Sequence, residues 1–153
     1  MSLRSLSLLI YFFFIASCND HLKIEANELP QGYADSQVVG SWKITAFTAD
    51  KPYDWNRDGI SETNIYNIWS ACQQDNLYSF SPDKTGLFKT NCTTTIPGTW
   101  SIVDTKYLVY ILTGIGIESE KLISMTVNQF KTTIDLTDNT GQDISLTKTW
   151  VRQ

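Results

Sequence analysis

The chain has 153 residues, of which 42% are hydrophobic and 12% aromatic, enough to fill the core of one domain of ordinary size. Its formal net charge is −4. This acidic balance argues against a nucleic-acid partner, because phosphate binding needs clustered Lys and Arg. Only 18% of the residues are charged, and the plentiful Thr, Ser, Val, Ile, Tyr and Trp favour an all-β domain.

Residues 1–17 have the layout of a secretory signal peptide. Arg4 precedes an apolar run over residues 8–15, which is too short to predict a membrane span. The sequence Ile15-Ala16-Ser17-Cys18 resembles the lipobox of bacterial lipoproteins. The resemblance implies that Cys18 becomes the first mature residue, carries palmitate and other acyl chains, and anchors the protein outside the cytoplasm to a bacterial membrane, expected to be the outer membrane. An ordinary signal peptide with a chance cysteine is the alternative.

The segment after the signal peptide, residues 18–37, is polar and contains Pro30 and Gly32. It predicts a flexible tether that leads to one folded domain over residues 38–153. The single histidine, His21, lies in this tether. We interpret it as a solvated linker residue rather than a catalytic group or a metal ligand.

Val38–Phe47 predicts the first strand, because its side chains alternate with period two. Gly40, Trp42 and Ile44 share one face, and the polar residues between them share the other. A strand with one apolar face is typical of a sheet that closes over a core.

An acidic loop follows this strand. Its residues 54–59 match D-x-N-x-D-G, the first half of an EF-hand-type calcium loop, in which alternating oxygen side chains converge on one hard cation. Such an ion would be structural, and its predicted ligands are Asp54, Asn56, Asp58, the carbonyl of Ile60, and Glu62. The alternative is an Asx-rich turn, in which the same side chains bind their own backbone.

Thr63–Cys72 predicts a short helix, since apolar residues recur there at the spacing of one helical face. Thr63 or Asn64 would cap it. Cys72 and Cys92 are the two cysteines that remain once Cys18 is acylated, and outside the cytoplasm they are expected to form a disulfide. Closing a loop of about 20 residues contributes roughly 3 kcal/mol. Two free buried thiols are the alternative.

The rest of the chain alternates short strands with turns. It predicts seven further strands, over residues 76–80, 87–90, 98–103, 106–112, 120–127, 132–136 and 142–152, with a polar loop over residues 91–97. Eight strands in nearest-neighbour order suffice to close an up-and-down barrel. We therefore predict an all-β fold, an eight-stranded antiparallel up-and-down barrel with one short helix between its first two strands. A β-sandwich is the alternative.

Residues 38–152 resemble the lipocalin-like lipoproteins of Gram-negative bacteria. The resemblance rests on Gly40 and Trp42, the 54–59 loop, Ala71 to Asn76, Phe80, Cys92 and Gly98-Thr99-Trp100. It implies a lipocalin-like barrel in which a basic residue of the last strand, here Arg152, stacks on Trp42 through a cation–π contact. The acidic loop and the helix depart from classical lipocalins, so their ligand preferences do not transfer directly.

No set of residues for nucleophilic or acid–base catalysis is evident, so we predict a binding protein rather than an enzyme. The leading hypothesis is a cell-envelope lipoprotein whose barrel binds a small hydrophobic or amphipathic ligand. The candidate lining residues are Trp42, Tyr78, Phe80, Trp100, Tyr110 and Met125. The alternative is a structural or interaction lipoprotein with a filled barrel, which would meet an envelope protein or a glycan through the loop that carries Tyr53 and Trp55.

Overall fold

The computed structural model describes residues 32–90 and 92–153. The predicted signal peptide, Cys18, His21 and most of the predicted tether lie outside these residues. Within them, no helix combines the length and the apolar character that a membrane crossing requires.

The described residues form nine strands and three single helical turns. The helical turns are α1 (Asp35–Val38), a 3-10 turn (Ile65–Ile68) and α2 (Ala71–Gln74). The strands are β1 (Gly40–Tyr53), β2 (Glu62–Asn64), β3 (Leu77–Phe80), β4 (Thr85–Thr90), β5 (Thr94–Val103), β6 (Tyr107–Leu112), β7 (Gly116–Met125), β8 (Gln129–Thr137) and β9 (Asp143–Arg152).

Eight of these strands close into an antiparallel barrel, which confirms the predicted fold class. β3 to β9 follow one another as neighbours, and β1 pairs with β3 on one side and with β9 on the other. The seam with β9 runs from Trp42 opposite Arg152 to Ala49 opposite Leu146. A closed barrel leaves no unpaired sheet edge. The short β2 pairs only with the far half of β1 and lies outside the ring.

The helix predicted over residues 63–72 is instead two separate turns. Asn64 caps the 3-10 turn, since its side chain accepts a hydrogen bond from the Asn67 backbone. Trp69 and Ser70 are then extended, and Ser70 starts α2 through a capping box with Gln73. A residue that caps a new helix cannot also continue the previous one, so the apolar spacing of this segment overstates its helical length.

Several strand boundaries also differ from the prediction: β1 continues to Tyr53 beyond the predicted Phe47, and β7 covers Gly116–Met125 instead of 120–127. β5 begins at Thr94, inside the predicted 91–97 loop, because a run of β-branched residues there pairs with β4. A bulge between Leu122 and Ser124 shifts the alternation of β7 by one residue. The shift turns Met125 to the same face as Leu122, whereas strict alternation would place them on opposite faces.

Candidate functional site

The two ends of the barrel are built differently, and one of them is closed. There the Arg152 guanidinium lies 4.2 Å from the centroid of the Trp42 ring, so the contact that the lipocalin resemblance implies is present. Arg152 also donates to the carbonyls of Val39 (2.8 Å), Gln37 (3.1 Å) and Val127 (2.7 Å). These bonds tie β9 to α1 and to the β7–β8 turn, which fixes α1 across the end of the barrel.

Glycine is required at two positions of the barrel, one of them beside Arg152. A Cβ on Gly40 would lie 2.2 Å from Nη1 of Arg152, and the φ of Gly40, +135°, is one that other residues rarely adopt. A Cβ on Gly98 would lie 2.0 Å from the backbone oxygen of Ile111. Both glycines therefore let a neighbouring group approach more closely than any side chain would allow.

The closed half of the barrel is filled with aromatic rings. Trp42 meets Phe130 edge-on at 4.6 Å, and Phe130 stacks on Trp150 at 5.2 Å. Phe80 and Trp100 are buried and pack against each other at 5.5 Å. Of the candidate lining residues, the structure therefore places Trp42, Phe80 and Trp100 within solid packing, with Met125 half-buried beside it.

A cavity of about 230 Å³ lies at the other end of the barrel. Tyr78 and Tyr110 line it, so two of the six candidate residues come together there. Its apolar wall is formed by Ile44, Phe47, Trp55, Trp69, Leu112 and Ile134, and its polar groups are Gln73, Asn76, Tyr78, Tyr110, Glu118 and Lys148. Apolar and polar residues thus contribute equally to the lining, and a lining that combines aromatic walls with convergent polar groups suits an amphipathic small molecule.

One wall of the cavity comes from residues 54–74, which we call the mouth segment. Its two tryptophans pack on Phe47, Trp55 at 5.0 Å and Trp69 at 5.4 Å between ring centroids. The predicted disulfide between Cys72 and Cys92 is confirmed, and it ties the mouth segment to the turn between β4 and β5. The mouth segment is thus held both by aromatic contacts and by a covalent bond.

Asp75 adds an ionic connection just after the mouth segment. Its carboxylate pairs with Lys43 at 2.5 Å and with Lys89 at 3.1 Å, one lysine from each of two barrel strands. Hydrogen bonds from these lysines, together with their positive charge, lower the pKa of Asp75 below its ordinary value. The carboxylate is therefore ionised at neutral pH and links β1, β4 and the end of α2.

A buried polar network forms the floor of the cavity. Glu120 is 0% exposed. Its Oε1 accepts hydrogen bonds from the Tyr110 hydroxyl (2.6 Å) and the Lys148 ammonium (2.5 Å), and its Oε2 accepts one from the Thr132 hydroxyl (2.5 Å). Trp150 Nε1 in turn donates to the Thr132 oxygen at 2.8 Å. Every polar atom of the network that faces the core is thereby partnered.

Sequence reasoning missed this network, although the sequence contains a signal for it. Glu120 stands two residues before the inward-facing Leu122, and Lys148 stands between the inward-facing Leu146 and Trp150. Opposite charges at inward positions of two strands predict a buried ion pair, since a lone buried charge is costly.

The two tyrosines of the cavity are held in their neutral form. Burial raises the pKa of Tyr78 to about 12, and the nearby Glu120 charge acts in the same direction. Burial also raises the pKa of Tyr110 well above its ordinary value, again with a contribution from Glu120. Both phenols are therefore neutral at physiological pH, and Tyr110 donates its proton in a hydrogen bond to Glu120.

The acidic loop has the hydrogen bonds of the Asx-turn alternative. Asp54 accepts from the backbone N–H groups of Asp58 (3.0 Å) and Gly59 (3.0 Å), and Asp58 accepts from that of Ile60 (2.8 Å). The described residues contain no group of three or more His, Cys, Asp or Glu placed to hold a metal ion. The calcium ligands predicted in this loop stay a prediction.

Glu62, the last of those predicted ligands, lies apart in β2. Among the side chains of residues 32–90 and 92–153, the buried polar atom that lacks a hydrogen-bond partner is Oε2 of Glu62. A buried oxygen without a partner is unfavourable, so Oε2 of Glu62 could accept a hydrogen bond or bind a cation.

A second cleft, of about 490 Å³, lies on the surface between the end of β1 and the β8–β9 hairpin. Its lining is mainly charged and hydroxyl side chains, including Asp50, Lys51, Asp135 and Asp143. It has no aromatic wall and no buried polar floor. The cavity behind the mouth segment is therefore the better candidate for a specific ligand site.

No family model matches the chain, and no curated protein sequence matches it. Solved structures with a similar arrangement include a complex of bovine odorant-binding protein with a selenium-containing odorant, with a TM-score of 0.42, 15% identity, and coverage of 78% of this chain and 73% of that one. The complex of bovine odorant-binding protein with its natural ligand has a TM-score of 0.41, 15% identity, and coverage of 77% and 72%. Odorant Binding Protein OBP1 has a TM-score of 0.41, 13% identity, and coverage of 80% and 75%. These similarities are distant, and neither the fold nor the function of this chain is inferred from them.

Proposed function

We propose that this protein binds a small hydrophobic or amphipathic molecule in the cavity behind the mouth segment and catalyses no reaction. The observation that carries the proposal is the contrast inside one barrel: aromatic rings fill one half, while about 230 Å³ stays open in the other. The rest of the barrel interior is close-packed, so this aromatic-lined space, which opens to solvent, is where a small molecule can be enclosed.

The size of the cavity limits that occupant. A cavity of about 150 Å³ accommodates benzene, so this one suits a compact molecule of about nine non-hydrogen atoms. The aromatic and aliphatic walls favour an apolar body. The polar groups at the floor and rim favour at least one polar atom, which would make the ligand amphipathic.

Calorimetric titration with cumene, an apolar probe of this size, tests the proposal. Ile134→Phe places a larger side chain in the cavity and is expected to abolish cumene binding. Ile117→Phe makes the same change on the outer wall, where Ile117 is 68% exposed, and is expected to leave binding unchanged. Equal binding by both variants would refute an apolar ligand site in the cavity.

The competing function, an interaction module for an envelope protein or a glycan, would use Tyr53 and Trp55. Trp55 is 39% exposed, but it packs edge-on against Phe47 and forms a wall of the cavity. A side chain engaged in this way has less of its ring to offer a large partner. We therefore place the small-molecule function first.

We further propose that the protein is a lipoprotein of the bacterial cell envelope, anchored by acyl chains on Cys18. The support is the signal-peptide layout and the lipobox sequence. A Cys18→Ala variant is expected to lose labelled palmitate and to leave the membrane fraction. Continued labelling of that variant would refute the anchor.

A structural calcium ion in the 54–62 loop stays a prediction, supported by the D-x-N-x-D-G sequence and by the unpartnered Oε2 of Glu62. Millimolar calcium is expected to raise the melting temperature of the wild type, and Asp58→Ala should remove that rise. Asp83→Ala, a change in another turn acid, should keep it. A melting temperature that calcium does not change would contradict the prediction.

A further inference from the structure

Lys148 has hydrogen-bonding capacity that the barrel leaves unused. An ammonium group carries three N–H donors. Within residues 32–90 and 92–153, Glu120 is the hydrogen-bond acceptor found for Lys148, and the ammonium otherwise lies over the rings of Phe47 (5.5 Å) and Trp150 (5.9 Å). The Lys148 side chain is 11% exposed and borders the cavity. Donors are thus available at the cavity floor.

The charges around the cavity limit the charge of a ligand that could accept a hydrogen bond from Lys148. The positive charge of Lys148 is already balanced by the buried Glu120 carboxylate. Glu118 adds a second carboxylate to the lining of the cavity. An anionic ligand would bring a further negative charge next to both carboxylates, whereas a cationic ligand would approach the Lys148 ammonium.

The Lys148–Glu120 ion pair has no net charge of its own. The Tyr78 hydroxyl borders the same space but already shares a side-chain hydrogen bond with Asn76, so the donors for a ligand are those of Lys148. Donors beside a neutralised ion pair match a neutral oxygen acceptor, which has two lone pairs.

From this arrangement we infer that the cavity selects small neutral carbonyl compounds, whose oxygen accepts a hydrogen bond from Lys148 while an apolar body lies against Trp55, Trp69 and Phe47. The inference rests on the proposed function, since it names the ligand class for the same cavity. Hydrogen bonds to charged groups are among the strongest that proteins form. Lys148 is therefore the residue that determines specificity.

Four probes with the same shape and nine non-hydrogen atoms each, the size estimated for the cavity, isolate the effect of the head group. They are cumene (apolar), acetophenone (carbonyl), benzoate (anionic) and 1-phenylethylammonium (cationic). Calorimetric titration of the full chain is expected to give the tightest binding for acetophenone, about tenfold tighter than cumene. Binding of the two ionic probes is expected to be weaker than that of acetophenone.

Two variants test whether the preference for acetophenone over cumene depends on Lys148. Lys148→Met keeps the apolar stem and removes the donors, but it leaves Glu120 buried without its cation and is expected to lower stability. The double variant Lys148→Met/Glu120→Gln removes both charges and keeps an acceptor for Tyr110. In this double variant acetophenone and cumene are expected to bind within about twofold of each other.

Infrared spectroscopy gives a readout that a purely structural role for Lys148 would not change. Acetophenone labelled with carbon-13 at the carbonyl is expected to show its stretching band at lower frequency in the wild-type complex than in an apolar solvent, because the oxygen accepts a hydrogen bond from a cation. The double variant should show a smaller displacement. An identical band in both complexes would overturn the role of Lys148.

The outcomes separate the two proposals. If cumene and acetophenone bind equally to the wild type, the carbonyl preference is wrong and the apolar site stands. Tightest binding of benzoate would make the floor an anion site, and tightest binding of 1-phenylethylammonium would make the aromatic wall and Glu118 a cation site; either result overturns the inference. If none of the four binds, the proposed function itself fails.

Discussion

The closed end and the open end of this barrel satisfy their polar groups in opposite ways. At the closed end, the Arg152 guanidinium donates to three backbone carbonyls and lies over the face of Trp42. At the open end, Lys148 donates to Glu120 and faces a cavity with its remaining donors. A cation that donates to backbone carbonyls of several segments fixes the fold, whereas one whose donors border a cavity can bind a ligand.

The largest expected contrast between the ends comes from their tryptophans. Trp42→Ala removes a side chain that is 0% exposed and is expected to lower the free energy of unfolding by about 3–5 kcal/mol. Trp55→Ala removes a half-exposed ring of the mouth segment and should cost only about 1 kcal/mol, close to the value of its aromatic contacts. Chemical denaturation measures both variants, and equal losses would contradict the division into a packed end and an open end.

Alkaline pH tests the open end alone. The pKa of Tyr78 is about 12 in the folded chain and about 10 in an unfolded one. The unfolded chain therefore ionises first as the pH rises, so stability that is fully present below pH 10 is lost between about pH 10 and 12. The loss is on the order of 3 kcal/mol by linkage.

Denaturation at a series of pH values, together with tyrosinate absorbance, measures this effect. Tyr78→Phe is expected to reduce the alkaline loss, with the remainder due to Tyr110, whose pKa is raised in the same direction. A Tyr78→Phe variant that loses as much stability as the wild type would show that the open end does not hold this phenol neutral.

A pair of glycines gives the smallest and most local contrast. Gly40→Ala is expected to cost about 1–3 kcal/mol, because its φ is +135° and the new Cβ would displace Arg152. Gly116 has a φ of +151°, and no atom lies within 4 Å of the position that a Cβ would take, so Gly116→Ala measures the backbone strain without the displacement. Chemical denaturation gives the loss of unfolding free energy in each variant, and the excess loss in Gly40→Ala is the contribution of the Arg152 packing. Equal losses would show that displacing Arg152 costs nothing.

The sequence predicted the closed end better than the open one, for a physical reason. Gly40, Trp42 and Arg152 lie at the termini of the first and last strands, and closing a ring of eight strands brings those termini together. Period-two alternation and turn residues were enough to count the eight strands of the barrel, and the predicted export signal was enough to pair Cys72 with Cys92.

The open end depended on details that alternation does not encode. Ser70 divides the predicted helix through its capping box. The bulge after Leu122 changes which residues of β7 face inward. The cavity floor joins Glu120 and Lys148 from β7 and β9, which are not neighbours in the sheet. Contacts across a barrel interior follow from its diameter and tilt, which single-strand patterns do not specify.

The bond between Cys72 and Cys92 makes the finished molecule depend on its chemical surroundings. Among cytosolic reductants the mouth segment would keep only its noncovalent contacts, whereas in an oxidising compartment one covalent link holds it over the barrel. The reach of the mouth segment over the barrel is therefore a quantity that the redox state of the two thiols can change.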